Sequence, residues 1–317
     1  MQSSTPSPEL TLPSRLLELP DVALPSGSRL PVLRLRVLEQ GEGEPVLFLH
    51  GNPTGAYLWR NVMPAAARHG RALAVDLMGH GLSDKPDVAY TYEDHHAVLG
   101  RALDALVPQE PLHLVLHDWG GFLGLHWASE HRERVRSVVA METFAWPMAW
   151  EDLPAAGRLA FRAFRAPLLG ALLLQGLNLF VRGVLPAAVA NRRAFTREAR
   201  RRYREFYPTW SSRRSVRRWP QHVPLDRSTS TWEQAGRLEE ALPELGVPML
   251  WLAPEPGLIV TPARLEWLRR RIPGLELRSI GRGGHFVQEE VPETIAAELD
   301  RWLERQIGGR GAGSGSS

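Results

Sequence analysis

The sequence predicts an α/β protein with a mostly parallel central sheet, flanked by helices, and an inserted helical cap. Short apolar runs alternate with helical patterns from Arg29 to Gln306. That alternation breaks between about Phe144 and His222, a stretch rich in Leu, Phe, Trp and Arg with no convincing strand. One apolar run, Pro111 to Leu116, leads directly into His117-Asp118-Trp119-Gly120-Gly121 and then a helical pattern. A strand, a sharp turn and a helix in that order form an elbow that exposes the turn side chain above a sheet.

In chain order, the strands are expected at Arg29–Glu39, Pro45–His50, Arg71–Asp76, Pro111–Leu116, Val135–Met141, Pro248–Leu252 and Glu276–Ile280. Most are short, nearly continuous apolar runs, as strands covered on both faces must be. Helices are expected at Asp94–Leu106, Phe122–Glu130, Pro262–Arg271 and Pro292–Gln306. Residues 1–13, polar and Pro/Ser-rich, are expected to be a disordered lead-in, and the Gly/Ser-rich 308–317 a flexible tail. Between them, 14–143 and 222–307 form the expected core, and 144–221 the cap over the carboxyl ends of the strands. Open α/β sheets place their ligand crevices at those ends.

Composition narrows the class. The 317 residues suffice for one large α/β domain with an insertion, and 44% hydrophobic with 23% charged residues is ordinary for a globular protein. A net charge of +3 is too small to argue for a nucleic-acid partner; the high pI reflects arginine usage, Lys85 being the only lysine. The basic clusters Arg197–Arg204 and Arg213–Arg218 are interrupted by acidic or apolar residues and read as solvated helix faces. With no cysteine, disulfides and thiolate metal sites are excluded. The most apolar stretch, Pro167–Val181, is short for a membrane span and carries Gln175 and Asn178. A cytoplasmic enzyme, monomeric or weakly homo-oligomeric and without a membrane partner, is the expectation.

The chemistry centres on Asp118, which stands where such an elbow ordinarily carries serine. A serine oxygen that displaced a group from a saturated carbon would form an ether, which water cannot readily cleave. A carboxylate forms an ester, which water can release, so Asp118 points to attack at an sp3 carbon. Two further loops follow expected strands. His50-Gly51-Asn52-Pro53-Thr54 offers backbone N–H groups for half of an oxyanion hole, and Trp119, after the nucleophile, offers the other half. Gly283-Gly284-His285-Phe286 places His285 last in the chain order nucleophile, acid, histidine. Among the other histidines, His95 and His96 are expected on a surface helix, His113 within a strand, and His117 as a brace for the turn.

The acid is less obvious. Glu255, flanked by prolines after the strand preceding His285, is one candidate. Glu142, directly after Val135–Met141, is favoured, because a carboxylate at a strand end beneath an apolar cap would be buried and needs a charged partner.

Together these residues resemble the haloalkane dehalogenases of the α/β-hydrolase superfamily, in the subfamily whose acid is a glutamate after the sixth strand. The resemblance rests on His50-Gly51-Asn52-Pro53-Thr54 with Tyr57-Leu58-Trp59-Arg60, Gly81-Leu82-Ser83-Asp84-Lys85-Pro86, His117-Asp118-Trp119-Gly120, Met141-Glu142, and His285-Phe286 with Gln288-Glu289. It spans about Leu30 to Leu303 and is looser in the cap. It implies that Asp118 displaces halide and becomes an alkyl ester. The Asn52 amide and the Trp119 indole would hold the halide, and His285, oriented by Glu142, would activate water. No metal or organic cofactor is implied; the partners would be a haloalkane, water and halide.

In the cap, Phe144, Trp146, Phe161, Phe164, Leu172, Leu173 and Leu177 are expected to divide between pocket wall and packing, and Phe286 beside the base to join the wall. Three competing functions remain at this point. An epoxide hydrolase shares Asp–His chemistry but needs cap tyrosines, for which only Tyr203 and Tyr207 are available. The coelenterazine-using luciferase of sea pansies shares the fold. A binding module that retained the scaffold is the third.

Overall fold

The computed structural model describes residues 12–153 and 155–308. The expected lead-in and tail lie outside these residues except at their inner ends. There Leu12 is buried, Pro13 O accepts a hydrogen bond from the Glu39 N–H, and Gly308 closes a wide helical turn, Glu304–Gly308.

Eight strands form one sheet: β1 (Ser14–Ala23), β2 (Arg29–Gln40), β3 (Pro45–Leu49), β4 (Arg71–Val75), β5 (Leu112–His117), β6 (Val135–Met141), β7 (Met249–Pro256) and β8 (Glu276–Gly283). Their spatial order is β1-β2-β4-β3-β5-β6-β7-β8. β2 runs antiparallel to both β1 and β4, and every other neighbouring pair is parallel. The expected α/β-hydrolase architecture is therefore present, with one strand more than the sequence reading gave. That strand, β1, is a half-exposed edge with Leu17, Leu19 and Val22 turned inward and polar residues between, so it lacks the continuous apolar run of its buried neighbours.

The period of two along the inner strands divides their side chains between two cores. Leu47 and Leu49 of β3, with Leu114 and Leu116 of β5, pack under the helices Tyr92–Leu106 and Asp118–Glu130. Val46, Phe48 and Val115 face the other way, against Ile295, Leu299 and Trp302 of the helix Pro292–Leu303. Each such buried side chain contributes about 1.5–3 kcal/mol relative to exposure.

Among the described residues, no strand occurs between β6 and β7. The chain there forms the helices Ala155–Arg165, Arg197–Glu205 and Arg214–His222, with wide π-helical turns at Ala171–Gly176 and Phe180–Val184. This cap has its own apolar cluster, including Phe164, Leu174, Leu185, Phe195 and Phe206. A buried polar tie fixes it to the core: Arg60 donates two hydrogen bonds (2.6 and 2.7 Å) to Glu289, whose Oε1 also accepts from the Tyr203 hydroxyl at 2.6 Å. The cluster Arg213–Arg218 departs from the expected solvated face. Arg213 donates to the carbonyls of Tyr207, Gln175 and Pro208, and Arg217 to Gln175 Oε1 and Pro167 O, so these cations staple cap segments together. Among the described residues no single helix is long and apolar enough to cross a membrane.

The elbow demands a residue without a side chain. A Cβ on Gly120 would collide with the backbone carbonyls of Leu49 and His50, which cannot turn aside as a side chain could. Gly100, within Tyr92–Leu106, faces open space. Urea denaturation should show Gly120→Ala destabilised by about 1–3 kcal/mol. Gly100→Ala should instead gain roughly 0.5–1 kcal/mol from helix propensity. Equal effects of the two substitutions would refute this steric reading of the elbow.

Candidate active site

The parallel strands end at one edge of the sheet, and the loops there deliver the polar groups. Asp118 follows β5 and Glu142 follows β6, with left-handed φ values of 51° and 43°. Such conformations cost a non-glycine residue about 1–3 kcal/mol and persist only where neighbours enforce them. Here each residue holds the other. The Asp118 N–H donates to Glu142 O (3.2 Å), and the Thr143 hydroxyl donates to Asp118 O (2.7 Å).

His285, on the loop after β8, lies between both carboxylates. Its Nε2 is 3.3 Å from Asp118 Oδ2 and its Nδ1 is 3.2 Å from Glu142 Oε2. Its backbone is pinned from two sides: its N–H donates to Ala188 O in the cap, and its carbonyl accepts from His117 Nε2, both at 2.8 Å. His117 is thus a brace, and burial, followed by repulsion from His285, pushes its pKa down to about 3. Glu142 is fully buried, and its Oε2 also accepts the N–H groups of Leu258 (2.9 Å) and Ile259 (3.1 Å). Glu255 lies on the exposed end of β7, bonded by the Ser279 hydroxyl at 2.9 Å, away from this cluster.

Asp118 Oδ1 accepts the backbone N–H of Asn52 at 2.7 Å, and the backbone N–H of Trp119 bonds the same carboxylate. Burial works to raise the Asp118 pKa, but the hydrogen bond and charge of His285, with smaller contributions from His117 and the Trp119 N–H, hold it below the ordinary value. For His285, burial alone would favour the neutral ring; Asp118 and Glu142 outweigh it and raise the pKa to about 9.

The Asn52 loop is set by groups whose roles the sequence did not announce. His50 Nε2 accepts the Leu77 N–H (3.0 Å), and its Nδ1 donates to Gly51 O (2.8 Å). Asp76, after β4, accepts from the N–H groups of Ala56 (2.5 Å) and Leu82 (2.8 Å). Around Asn52, the side-chain amide is 3.4 Å from Val216 O and from His80 Nε2. Trp219 donates to His80 (3.2 Å) and packs against Trp119 with tilted rings, centroids 4.4 Å apart. His95, expected at the surface, is buried, because the cap brings Trp219 down to within 4.2 Å of its ring.

A cavity of about 110 Å³ opens between these loops and the cap. Asn52, Asp118, Trp119 and His285 form its polar end, and Phe144, Phe161 and Phe286 contribute walls as expected. Trp146, Phe164, Leu172 and Leu177 do not line it. Trp146 is buried beside Trp251, Phe164 belongs to the cap core, and Leu172 and Leu177 are more than half exposed. Leu173 packs, half-buried, against the cap core. Met148, Leu153, Phe180, Val184, Pro220 and Ile259 take their place, and the sequence carried no face-specific signal for them. Among the described residues, the one group of His and acidic side chains with metal-ligand spacing, His96, His126 and Glu130, lies outside this site.

The family model of the α/β-hydrolase fold matches residues 44–292. A haloalkane dehalogenase of Sphingobium indicum is 37% identical over 282 residues, 86% of this chain and 92% of that protein. Another, of Agrobacterium fabrum, is 38% identical over 87% of this chain and 90% of that protein. The chain belongs to the haloalkane dehalogenase family. Its fold agrees with solved members: the haloalkane dehalogenase DatA from Agrobacterium tumefaciens superposes with a TM-score of 0.83 at 35% identity, covering 92% of this chain and 97% of that one. DbeA from Bradyrhizobium elkani gives 0.85 at 31%, covering 94% and 100%. Haloalkane dehalogenases are hydrolases acting on carbon–halogen bonds.

Between the two carboxylates, His285 is favoured as a buried cation. A folded-state pKa raised from 6.5 to about 9 contributes stability that is complete below the unfolded value and fades as pH climbs through about 9. NMR titration of the His285 ring should therefore give a midpoint near pH 9. Asp118→Asn, which removes one carboxylate, should lower that midpoint. An unchanged midpoint would mean that Asp118 does not charge the ring.

Proposed function

We propose that this chain hydrolyses the carbon–halogen bond of apolar haloalkanes in two steps, through an ester on Asp118. The observation that carries the proposal is the apolar cavity whose polar end joins the Asp118 carboxylate to two neutral donor side chains, Asn52 and Trp119, and to the charged His285. In the first step Asp118 attacks the saturated carbon. The carbon–halogen electron pair leaves with the halide, which the Asn52 amide and Trp119 indole stabilise. Neither donor bears a full charge, so the halide can depart afterwards.

Forming the ester removes the negative charge of Asp118, which is one of the two groups holding the proton on His285. With Glu142 alone beside it, the ring gives up that proton to solvent and becomes a competent base. It takes a proton from water, and the hydroxide adds to the ester carbonyl while the backbone N–H groups of Asn52 and Trp119 hold the oxyanion. Collapse returns the carboxylate and releases the alcohol, and the ring keeps the proton it took from water, which restores the starting state. The sum is haloalkane plus water giving alcohol, halide and a proton. Each chain contains the complete set of groups, consistent with a monomer or weak homo-oligomer.

The epoxide-hydrolase reading lacks its acid. None of the chain's 5 tyrosines lines the cavity: Tyr203 donates to Glu289, and Tyr207 to Thr54 O at 3.3 Å. Styrene oxide should accordingly remain unturned while 1,2-dibromoethane or 1-bromobutane releases bromide; epoxide turnover without halide release would reverse the assignment.

His285→Phe should carry out the first step only. Bromide release should stop at one equivalent, steady turnover should fall by about 10²–10⁴-fold, and mass spectrometry should find Asp118 alkylated. Continued bromide release from unmodified protein would exclude the ester. Glu142→Gln should lose most activity and Glu255→Gln should keep it; the opposite pattern would move the acid to Glu255. Trp119→Phe should lower kcat/KM by about 10²-fold if its N–H holds the halide.

A further inference from the structure

On the side of the helix Asp118–Glu130 away from its elbow, three side chains converge that the hydrolysis does not use. His126 and Glu130 are one turn apart on that helix, and His96 reaches them from Tyr92–Leu106. The two imidazoles stack with centroids 4.0 Å apart, and both direct Nε2 at one carboxylate: His96 Nε2 is 3.3 Å from Glu130 Oε2, and His126 Nε2 is 3.2 Å from Glu130 Oε1. A potential ligand atom from each of the three lies within 4.8 Å of the others.

The two histidine–carboxylate spacings match those between ligand atoms of one metal ion. Two ligand atoms each about 2.0–2.1 Å from a tetrahedral ion stand about 3.3–3.4 Å apart. A hydrogen bond accounts for the arrangement less well, since the His96 Nε2 is buried and makes none despite its closeness to the carboxylate. We propose that His96 Nε2, His126 Nε2 and Glu130 bind one divalent transition-metal ion, Zn²⁺ by preference, clamping the two helices together.

The surroundings suit this role. The Tyr92 hydroxyl lies 2.7 Å from His126 Nδ1, so it can accept the Nδ1 proton and leave Nε2 as the ligand atom, the outer contact that metal-bound histidines ordinarily have. Glu130 is half exposed, which gives the ion an entry path and leaves room for water as a fourth ligand. It is also the last residue of its helix, where the backbone dipole favours a cation. Arg237 and His131 oppose a cation, and Glu93 supports one. Two imidazoles and a carboxylate select Zn²⁺, Ni²⁺ or Cu²⁺ over Mg²⁺ and Ca²⁺, which prefer all-oxygen sites.

Calorimetric titration of the full chain with ZnCl₂, alongside MgCl₂ and with melting curves recorded in each, tests the proposal. One equivalent of Zn²⁺ should bind and raise the melting temperature, and Mg²⁺ should do neither. His96→Ala and Glu130→Gln should each weaken Zn²⁺ binding by about 10-fold or more while turnover of 1-bromobutane persists. Glu130→Gln alters a half-exposed side chain and decides the matter should His96→Ala fold poorly. No equimolar binding, or native affinity in folded Glu130→Gln, would overturn the site.

Discussion

The site depends on one interaction, an imidazolium held between two buried carboxylates. His285 could not carry charge in an apolar interior without Asp118 and Glu142, because burial alone drives its pKa down. Glu142, fully enclosed, would be equally costly without its cation and the two backbone N–H groups it accepts. Much of the local architecture serves to keep these three groups in register. β5 and β6 lie side by side, so their ends bring Asp118 and Glu142 together. Both residues take left-handed backbone conformations that aim their side chains at the ring, and Gly120 lets the elbow close on the loop after β3.

In the proposed mechanism the same interaction gives the site a two-stage behaviour. While Asp118 is ionised, the ring holds its proton; once Asp118 is esterified, half of the stabilising charge is gone. In that mechanism the nucleophile controls the state of the base. Around this charged core the remaining surface of the cavity is nearly all apolar, which discourages polar and charged substrates. The cap supplies most of that surface, and the Arg60–Glu289–Tyr203 tie fixes it on the stretch of chain that carries His285.

The fold was legible in the sequence wherever a strand had to be buried on both faces. β3, β5 and β6 announce themselves as apolar runs, and β6 has the expected bounds. β1 did not, because only alternate residues turn inward. At the site, Asp118 and His285 were legible from chain order and turn chemistry, and Glu142 from the difficulty of burying a carboxylate alone. The pocket wall was only partly legible. The segment from Pro167 to Val184 is apolar on nearly every side, and its π-helical turns break the regular period from which a buried face could be inferred, so Leu172 and Leu177 point outward where Phe180 and Val184 face the cavity. His95 was misplaced for a different reason: its burial depends on Trp219, more than a hundred residues along the chain.

The most direct test of the aspartyl ester follows oxygen. In a single turnover with enzyme in excess, run in water enriched in ¹⁸O, the alcohol should carry ordinary oxygen drawn from Asp118, and the label should appear in the Asp118 carboxylate. Labelled alcohol in that first turnover, with an unlabelled carboxylate, would mean that water attacks the haloalkane directly and would contradict the covalent route.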